Sequence, residues 1–458
     1  MKLKTLVVAS MSVLGLSLTS YPALAGTHHQ HKHYTVQKQQ TAAAQDYKGA
    51  LPACPITDPY TATLDVMDQN VGRAKPTEDC YKAISFAGGI NFDAKWGNRS
   101  MGYQGENVRT LSLNDAYLNV FGNVTDWSKA FASISYNNAS GVNTASAKLG
   151  QYSNVYPTDT LTLEQGFIRI ANFDQNPFFF QLGKQYQDFG RYYIHPIMRT
   201  MPQVLTETLR TSAELGFVTQ MGLHGDVYAF DNPLRGRRGY AIATPAGASN
   251  ALGHTQSNFG AALGFDHQMG DQLHWGVNLA YLYNMTGVND IAQAVSQYQS
   301  GIAGSGTTTT SSTGGTYNRR VAAAAADAMI ASGPFSLAAD YASALDAFGN
   351  NDLGSRGTAA VAAGTGSGAR PWAGNIQAGY GFNAWNKNQN VYLGYQASGD
   401  AVAVFLPKNR WLVGYNVDMW KNTNLGLEVA HDTDYSTSRG GTGDSSNTIG
   451  LRAGVKFG

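Results

Sequence analysis

The sequence predicts an all-β chain: a transmembrane antiparallel β-barrel of about sixteen strands behind a short N-terminal periplasmic segment. Three observations carry that reading. The chain opens with a secretion-type leader, its apolar side chains alternate with period two over segments of about ten residues, and its connections alternate between short and long.

Lys2 and Lys4 precede an apolar run from Leu6 to Leu18, and Ala23 and Ala25 flank Leu24 as a small-x-small cleavage site. That run is too short for a membrane-spanning helix, so residues 1–25 are expected to be a signal peptide leading to an oxidising compartment. Residues 26–82 are expected to be a periplasmic segment ahead of a barrel over 83–458. Cys54 and Cys80 are the only cysteines. In that compartment they are expected to form a disulfide, which by loop-closure entropy would stabilise the segment by about 3 kcal/mol. His28, His29, His31 and His33 lie close enough to ligate zinc or copper. Nothing around them indicates ordered backbone, so no metal and no cofactor is assigned.

Only 14% of the 458 residues are charged, against about 25% for an ordinary soluble domain. Gly (52) and Tyr (25) are abundant, yet no later stretch approaches the ~20 apolar residues of a spanning helix. A barrel has this profile because only alternate residues meet lipid. The net charge of +1 gives no support for a nucleic-acid partner.

Strands are expected at 83–96, 109–122, 128–137, 159–171, 177–187, 210–221, 223–230, 257–268, 272–284, 316–330, 333–345, 371–384, 388–397, 408–419, 423–435 and 446–457. In the last, Ile449, Leu451, Ala453, Val455 and Phe457 share one face, with Gly450, Arg452, Gly454 and Lys456 on the other. Ile84, Phe86, Ile90, Phe92 and Trp96 share a face of the first, and Trp411, Val413, Tyr415, Val417 and Met419 share a face of another. The Ala-rich run from Val321 to Ala331 suits a helix as well as a strand.

Short links at 123–127, 268–272, 385–388 and 421–423 interleave with long ones at 138–158, 188–209, 231–256, 285–315 and 346–370. Periplasmic turns and external loops produce this alternation, which demands an even strand number with both ends in the periplasm. Residues 111–120 and 161–170 echo each other position for position, as hairpin duplication would leave them. The Gly/Ser/Thr-rich 301–315 reads as a flexible external loop.

The loop 188–209 is apolar for an external one. It holds Tyr192, Tyr193 and Met198, with Arg191 and Arg199 beside them. It either narrows the pore or packs over the mouth or a neighbouring subunit. Parity turns Arg169, Arg452 and Lys456 inward. These either favour anions or form ion pairs with Asp93, Glu164, Asp418 and Glu428. Arg235, Arg237 and Arg238 suit an anionic ligand or lipopolysaccharide phosphates.

Gly183, Lys184, Tyr186, Phe189 and Gly190 spell a Gly-Lys-x-Tyr-x-x-Phe-Gly strand end, followed by Arg191 and by Leu205, Thr206, Glu207, Thr208 and Leu209. With the leader, the N-terminal extension and the strand count, this resembles Gram-negative porins, and within them the siderophore porins of Legionella and relatives, the legiobactin-uptake type. The chain departs from the pattern in ending Phe457-Gly458 and in lacking heptads over 26–82.

The resemblance implies an inward-folded third long loop and TonB-independent uptake of an anionic ferric siderophore across the outer membrane. A general or anion-preferring diffusion porin, and a barrel displaying its loops for surface adhesion, stay open, as does assembly into a homotrimer. No hydrolase elbow or triad is found, and the chain is not expected to be an enzyme.

Overall fold

The computed structural model describes residues 84–98, 108–125, 127–138, 159–173, 175–191, 197–219, 221–236, 257–269, 273–303, 316–355, 367–420 and 422–457. The expected signal peptide, the Cys54 and Cys80 pair, the His28–His33 cluster, Arg237, Arg238, Tyr192 and Tyr193 lie outside them.

Among the described residues sixteen strands close into one antiparallel barrel. The first eight are β1 (Ile84–Asn98), β2 (Val108–Asn123), β3 (Ser128–Asn138), β4 (Asp159–Ala171), β5 (Phe178–Tyr186), β6 (Leu209–Val218), β7 (Leu223–Asp231) and β8 (Ser257–Met269). The second eight are β9 (Leu273–Leu282), β10 (Ala323–Ser332), β11 (Phe335–Ala344), β12 (Trp372–Ala384), β13 (Lys387–Gly399), β14 (Asn409–Trp420), β15 (Thr423–Thr433) and β16 (Ser445–Phe457). Each pairs with its chain neighbours, and β16 closes on β1 with Trp96 opposite Ile449. Closure removes every free edge, which a strand in hydrocarbon cannot leave unpaired. Long and short connections alternate without exception around the ring. The two-residue link between β12 and β13 places Trp385 and Asn386 at φ 52° and 57°, the left-handed pair whose twist matches a two-residue hairpin.

Two helices accompany the barrel, α1 (Met201–Thr206) and α2 (Asn289–Ala303). The second corrects the reading of 285–315 as an external loop. Ile291, Val295 and Tyr298 recur at helical spacing and are buried together with Met201 and Leu205 of α1. The same cluster includes Ala262, Ala280, Ala325, Ala342 and Ala373. These five alanines stand opposite one another across β8 to β12 on a single register level. A belt of methyl groups leaves room for the helices against the inner wall, which explains the Ala-rich composition of β10. Alanine prefers helix, but the ladders to β9 and β11 make this run a strand. It begins at Ala323, not 316. Thr316 and Tyr317 pair instead, in parallel, with Arg235 and Gly236.

The echo between 111–120 and 161–170 extends to backbone irregularity. In β2 the register jumps from Asp115 to Leu113, and in β4 from Gln165 to Leu163, so Asn114 and Glu164 are the extra residues. These are equivalent positions of the two segments. Bulges are retained features of a strand, and a shared one supports the duplication.

The outward face is apolar. Ile168, Leu182, Leu215, Leu263, Leu279, Ile376, Leu393, Val413 and Leu451 are exposed around it. Aromatics gather at the strand ends, with Trp96, Trp372 and Trp411 toward the long loops and Phe178, Phe335, Trp385 and Trp420 toward the turns. Two aromatic girdles bounding an aliphatic band are what a bilayer selects. Val413→Arg, within that band, should therefore cost roughly 2–4 kcal/mol in equilibrium refolding into lipid vesicles. Asp418→Asn, on the inner side of the same strand, should cost under about 1 kcal/mol. Equal costs would contradict a lipid-facing β14.

Candidate pore constriction

The third long connection leaves β5 and returns to β6, but it reaches the far wall between those points. Its root is pinned locally. The Gln187 backbone N–H donates to the Thr208 carbonyl at 2.8 Å, and the Gln187 side-chain amide donates to Ser212 Oγ at 2.8 Å. Phe189 is fully buried in the helix cluster. Gly190 has φ 96°, and a Cβ there would meet Thr206 at 2.8 Å. The glycine of the strand-end motif is thus needed for both conformation and clearance.

The far end docks on β13 to β16. The backbone N–H groups of Ile197 and Met198 donate to the two carboxylate oxygens of Glu428 at 3.0 and 2.9 Å. Tyr392 donates its hydroxyl to the same carboxylate at 2.6 Å. Arg452 donates to the Ile197 carbonyl at 3.3 Å, Arg410 to that of Arg199 at 3.3 Å, and Met201 N–H to Gln396 at 2.9 Å. Thr200 then caps α1, its hydroxyl accepting from Gln203 N–H at 3.3 Å. Four of the five residues from Ile197 to Met201 are thereby held by side chains of four successive strands.

The wall is shaped to receive them. On one register level Glu428 stands between Gly414 and Gly450. A Cβ on Gly450 would lie 3.5 Å from Ile197, one on Gly426 would lie 3.0 Å from it, and one on Gly414 would collide with the Tyr392 ring. The glycines form a notch that receives the Ile197 side chain and the Tyr392 ring.

Of the basic residues expected to line the pore, Arg169, Arg452 and Lys456 occupy strand positions opposite the exposed apolar face, Arg191 and Arg199 sit in the loop, and all five have partners. Arg452 makes a two-pronged contact with Asp93 at 2.7 and 2.9 Å, and Lys95 lies 3.5 Å from the same carboxylate. Arg191 binds Asp266 at 2.9 Å and Asp188 at 3.4 Å. Arg199 binds Asp290 of α2 at 2.8 Å and Glu207 at 3.2 Å. Arg169 is buried against Phe179, donates to Gln181 at 2.8 Å and has Glu214 as its carboxylate neighbour. Lys456 is half-buried on the Arg452 face. Of the expected acidic partners, Asp93 pairs with Arg452, Glu164 accepts from Tyr186 at 2.6 Å, and Glu428 serves the loop.

Sequence reasoning missed Arg410, which grips Asp432 at 2.6 and 2.8 Å. Its inward parity beside Trp411 was a readable signal. It also missed Tyr392, whose neighbour Gly414 was one. Among the described residues no three His, Cys, Asp or Glu side chains gather at one point.

No family model matches the chain. It is 27% identical over 316 residues to a UPF0422 protein of Legionella pneumophila, covering 64% of this chain and 53% of that one. A UPF0422 protein of Coxiella burnetii is 25% identical over 365 residues, 79% of this chain and 66% of the relative. The chain thus spans about half to two thirds of the length of these relatives. In structure it is similar to Pseudomonas putida OprB, with a TM-score of 0.50 at 12% identity, over 82% of this chain and 94% of that one. The fold is that of a porin-like barrel, and its apolar, aromatic-bounded exterior places it in a Gram-negative outer membrane.

Proposed function

We propose that this barrel is a solute channel whose third long loop sets the width of the pore. The crossing of that loop from β5 and β6 to Glu428 on β15 carries the reading. A loop that only covered the mouth would not need its backbone bonded to the opposite wall at the depth of mid-strand residues. In planar bilayers the full chain should give step conductance. Deleting residues 194–204 should raise that conductance at every salt concentration, since the deletion removes volume from the lumen. A barrel that never conducts would support loop display at the cell surface instead.

The resemblance carries the finer reading, TonB-independent uptake of an anionic ferric siderophore. The geometry favours a less specialised route for small polar solutes. Arg169, Arg191, Arg199 and Arg452 each sit beside a carboxylate, so they offer less net field to an anion than their count suggests. On iron-poor medium with a purified ferric siderophore as iron source, strains with and without the gene should then grow alike. Growth that depends on the gene would restore the siderophore reading. Lipopolysaccharide contact through Arg235 and assembly into a homotrimer accompany the channel reading, and the mass of the detergent-folded barrel tests the latter.

A further inference from the structure

One register level inside the barrel carries Asn278, Asp327, Asp340 and Asn375 on four adjacent strands, β9 to β12. The two aspartates stand directly opposite each other on β10 and β11. Like charges in that position repel, and here both side chains are more than nine-tenths buried. The flanking amides turn their nitrogens inward. Asn278 donates to Asp327 at 3.4 Å and Asn375 to Asp340 at 2.7 Å. Those donations fix which end of each amide is which. They leave Asn278 Oδ1, Asn375 Oδ1 and Asp340 Oδ1 buried with no hydrogen-bond donor.

Two residues beyond Asn375 on the same face, Gln377 is fully buried with neither amide atom bonded. Its own level offers only Ala338 and Gly394 as neighbours. Buried polar atoms are nearly always satisfied, and each exception calls for a missing partner. Apart from Gln377 Nε2, which lacks an acceptor, the atoms left over are oxygens that lack a donor or positive charge, and three of the four belong to the row in which the two aspartates stand opposite each other.

We propose that this row is a binding site for a hard divalent cation of the calcium type. Carboxylate and amide oxygens are the ligands such ions take, and two aspartates balance a double charge. Asp327 also accepts the Arg191 backbone N–H, so the ion would steady the root of the constriction loop from beneath. Loop and cation site share one strut, yet the site does not depend on what the channel carries.

Equilibrium dialysis of the detergent-folded full chain against radioactive calcium tests this. The wild type should take up calcium saturably, and Asp327→Asn with Asp340→Asn should abolish that uptake. Asn375→Ala, which keeps both charges, should weaken it by about tenfold, since one ligand oxygen is lost. Calcium carried by residual lipopolysaccharide is common to all variants and cancels in the difference. Equal uptake by the wild type and the double variant overturns the proposal, as it would if the aspartates merely share a proton. No saturable uptake by folded wild type overturns it too, and so does an Asn375→Ala variant that binds as the wild type does. Step conductance in the same preparation is read separately. A conducting barrel without calcium sinks this inference alone, and a calcium-binding barrel without conductance sinks only the channel.

Discussion

Glu428→Ala should widen the pore without unfolding the barrel. Glu428 is fully buried and accepts from three donors, the N–H groups of Ile197 and Met198 and the Tyr392 hydroxyl. Hydrogen bonds to a charged acceptor are worth about 1.5–3 kcal/mol each, and a buried donor left without its acceptor costs a similar amount. Two of the three come from the loop and share one carboxylate, so they do not add independently and the tip should lose on the order of 2–4 kcal/mol of anchorage. The tip would then be held only by single bonds to Arg410, Arg452 and Gln396, with nothing fixing the Ile197 and Met198 amides. The ladder is unaffected, since Glu428 contributes to it through backbone alone. Single-channel conductance should therefore rise while the folded and heat-denatured forms still separate on a gel. Glu428→Gln keeps one carbonyl oxygen for one of the loop amides and should fall between. Filling the notch, with Gly450→Leu, should mimic the alanine variant by pushing Ile197 away. If Glu428→Ala conducts as the wild type does, the loop is held by something else and the latch is not its anchor.

The strands were readable because what defines them is local. Apolar alternation and loop length are properties of neighbouring residues, and the lipid face demands them at every level. All sixteen expected strands are present, most within one or two residues. The inward positions of Arg169 and Arg452 followed from the same parity. The anchorage of the loop was not readable, because Ile197 and Glu428 are brought together by barrel closure across 231 positions of sequence. No periodicity links them. Glycines 414, 426 and 450 looked like ordinary barrel glycines until the notch gave them a reason. The α2 helix did leave a signal in the spacing of Ile291, Val295 and Tyr298, obscured by the low-complexity residues that follow. Ala323 to Ala331 was ambiguous for a physical reason. Alanine carries no β preference of its own, and its size matters only once helices need the space.

Reversing the charge at the junction between loop and helix should uncouple them, and restoring opposite charges should couple them again. Arg199 on the loop reaches Asp290 at 2.8 Å and Glu207 at 3.2 Å. Asn289 reinforces the junction, its N–H donating to the Glu207 carbonyl at 3.0 Å. Asp290 is largely buried, so the pair is screened less than a surface one. Arg199→Glu sets a third carboxylate beside two others, and Asp290→Arg sets two guanidiniums together. Leaving a largely buried charge without its partner costs about 3–5 kcal/mol, and like-charge contact adds to that. Either variant should free α2 from the loop, which hydrogen exchange over 289–303 would report as lost protection. It should also add noise to the open-channel current. The double variant puts opposite charges back at the same two places and should recover most of the protection. The coupling in such a cycle should exceed about 1 kcal/mol, as expected for groups in direct contact. Additive effects of the two substitutions would mean that α2 is held by its apolar face alone, through Ile291, Val295 and Tyr298, and that Arg199 does not join the constriction to the helix.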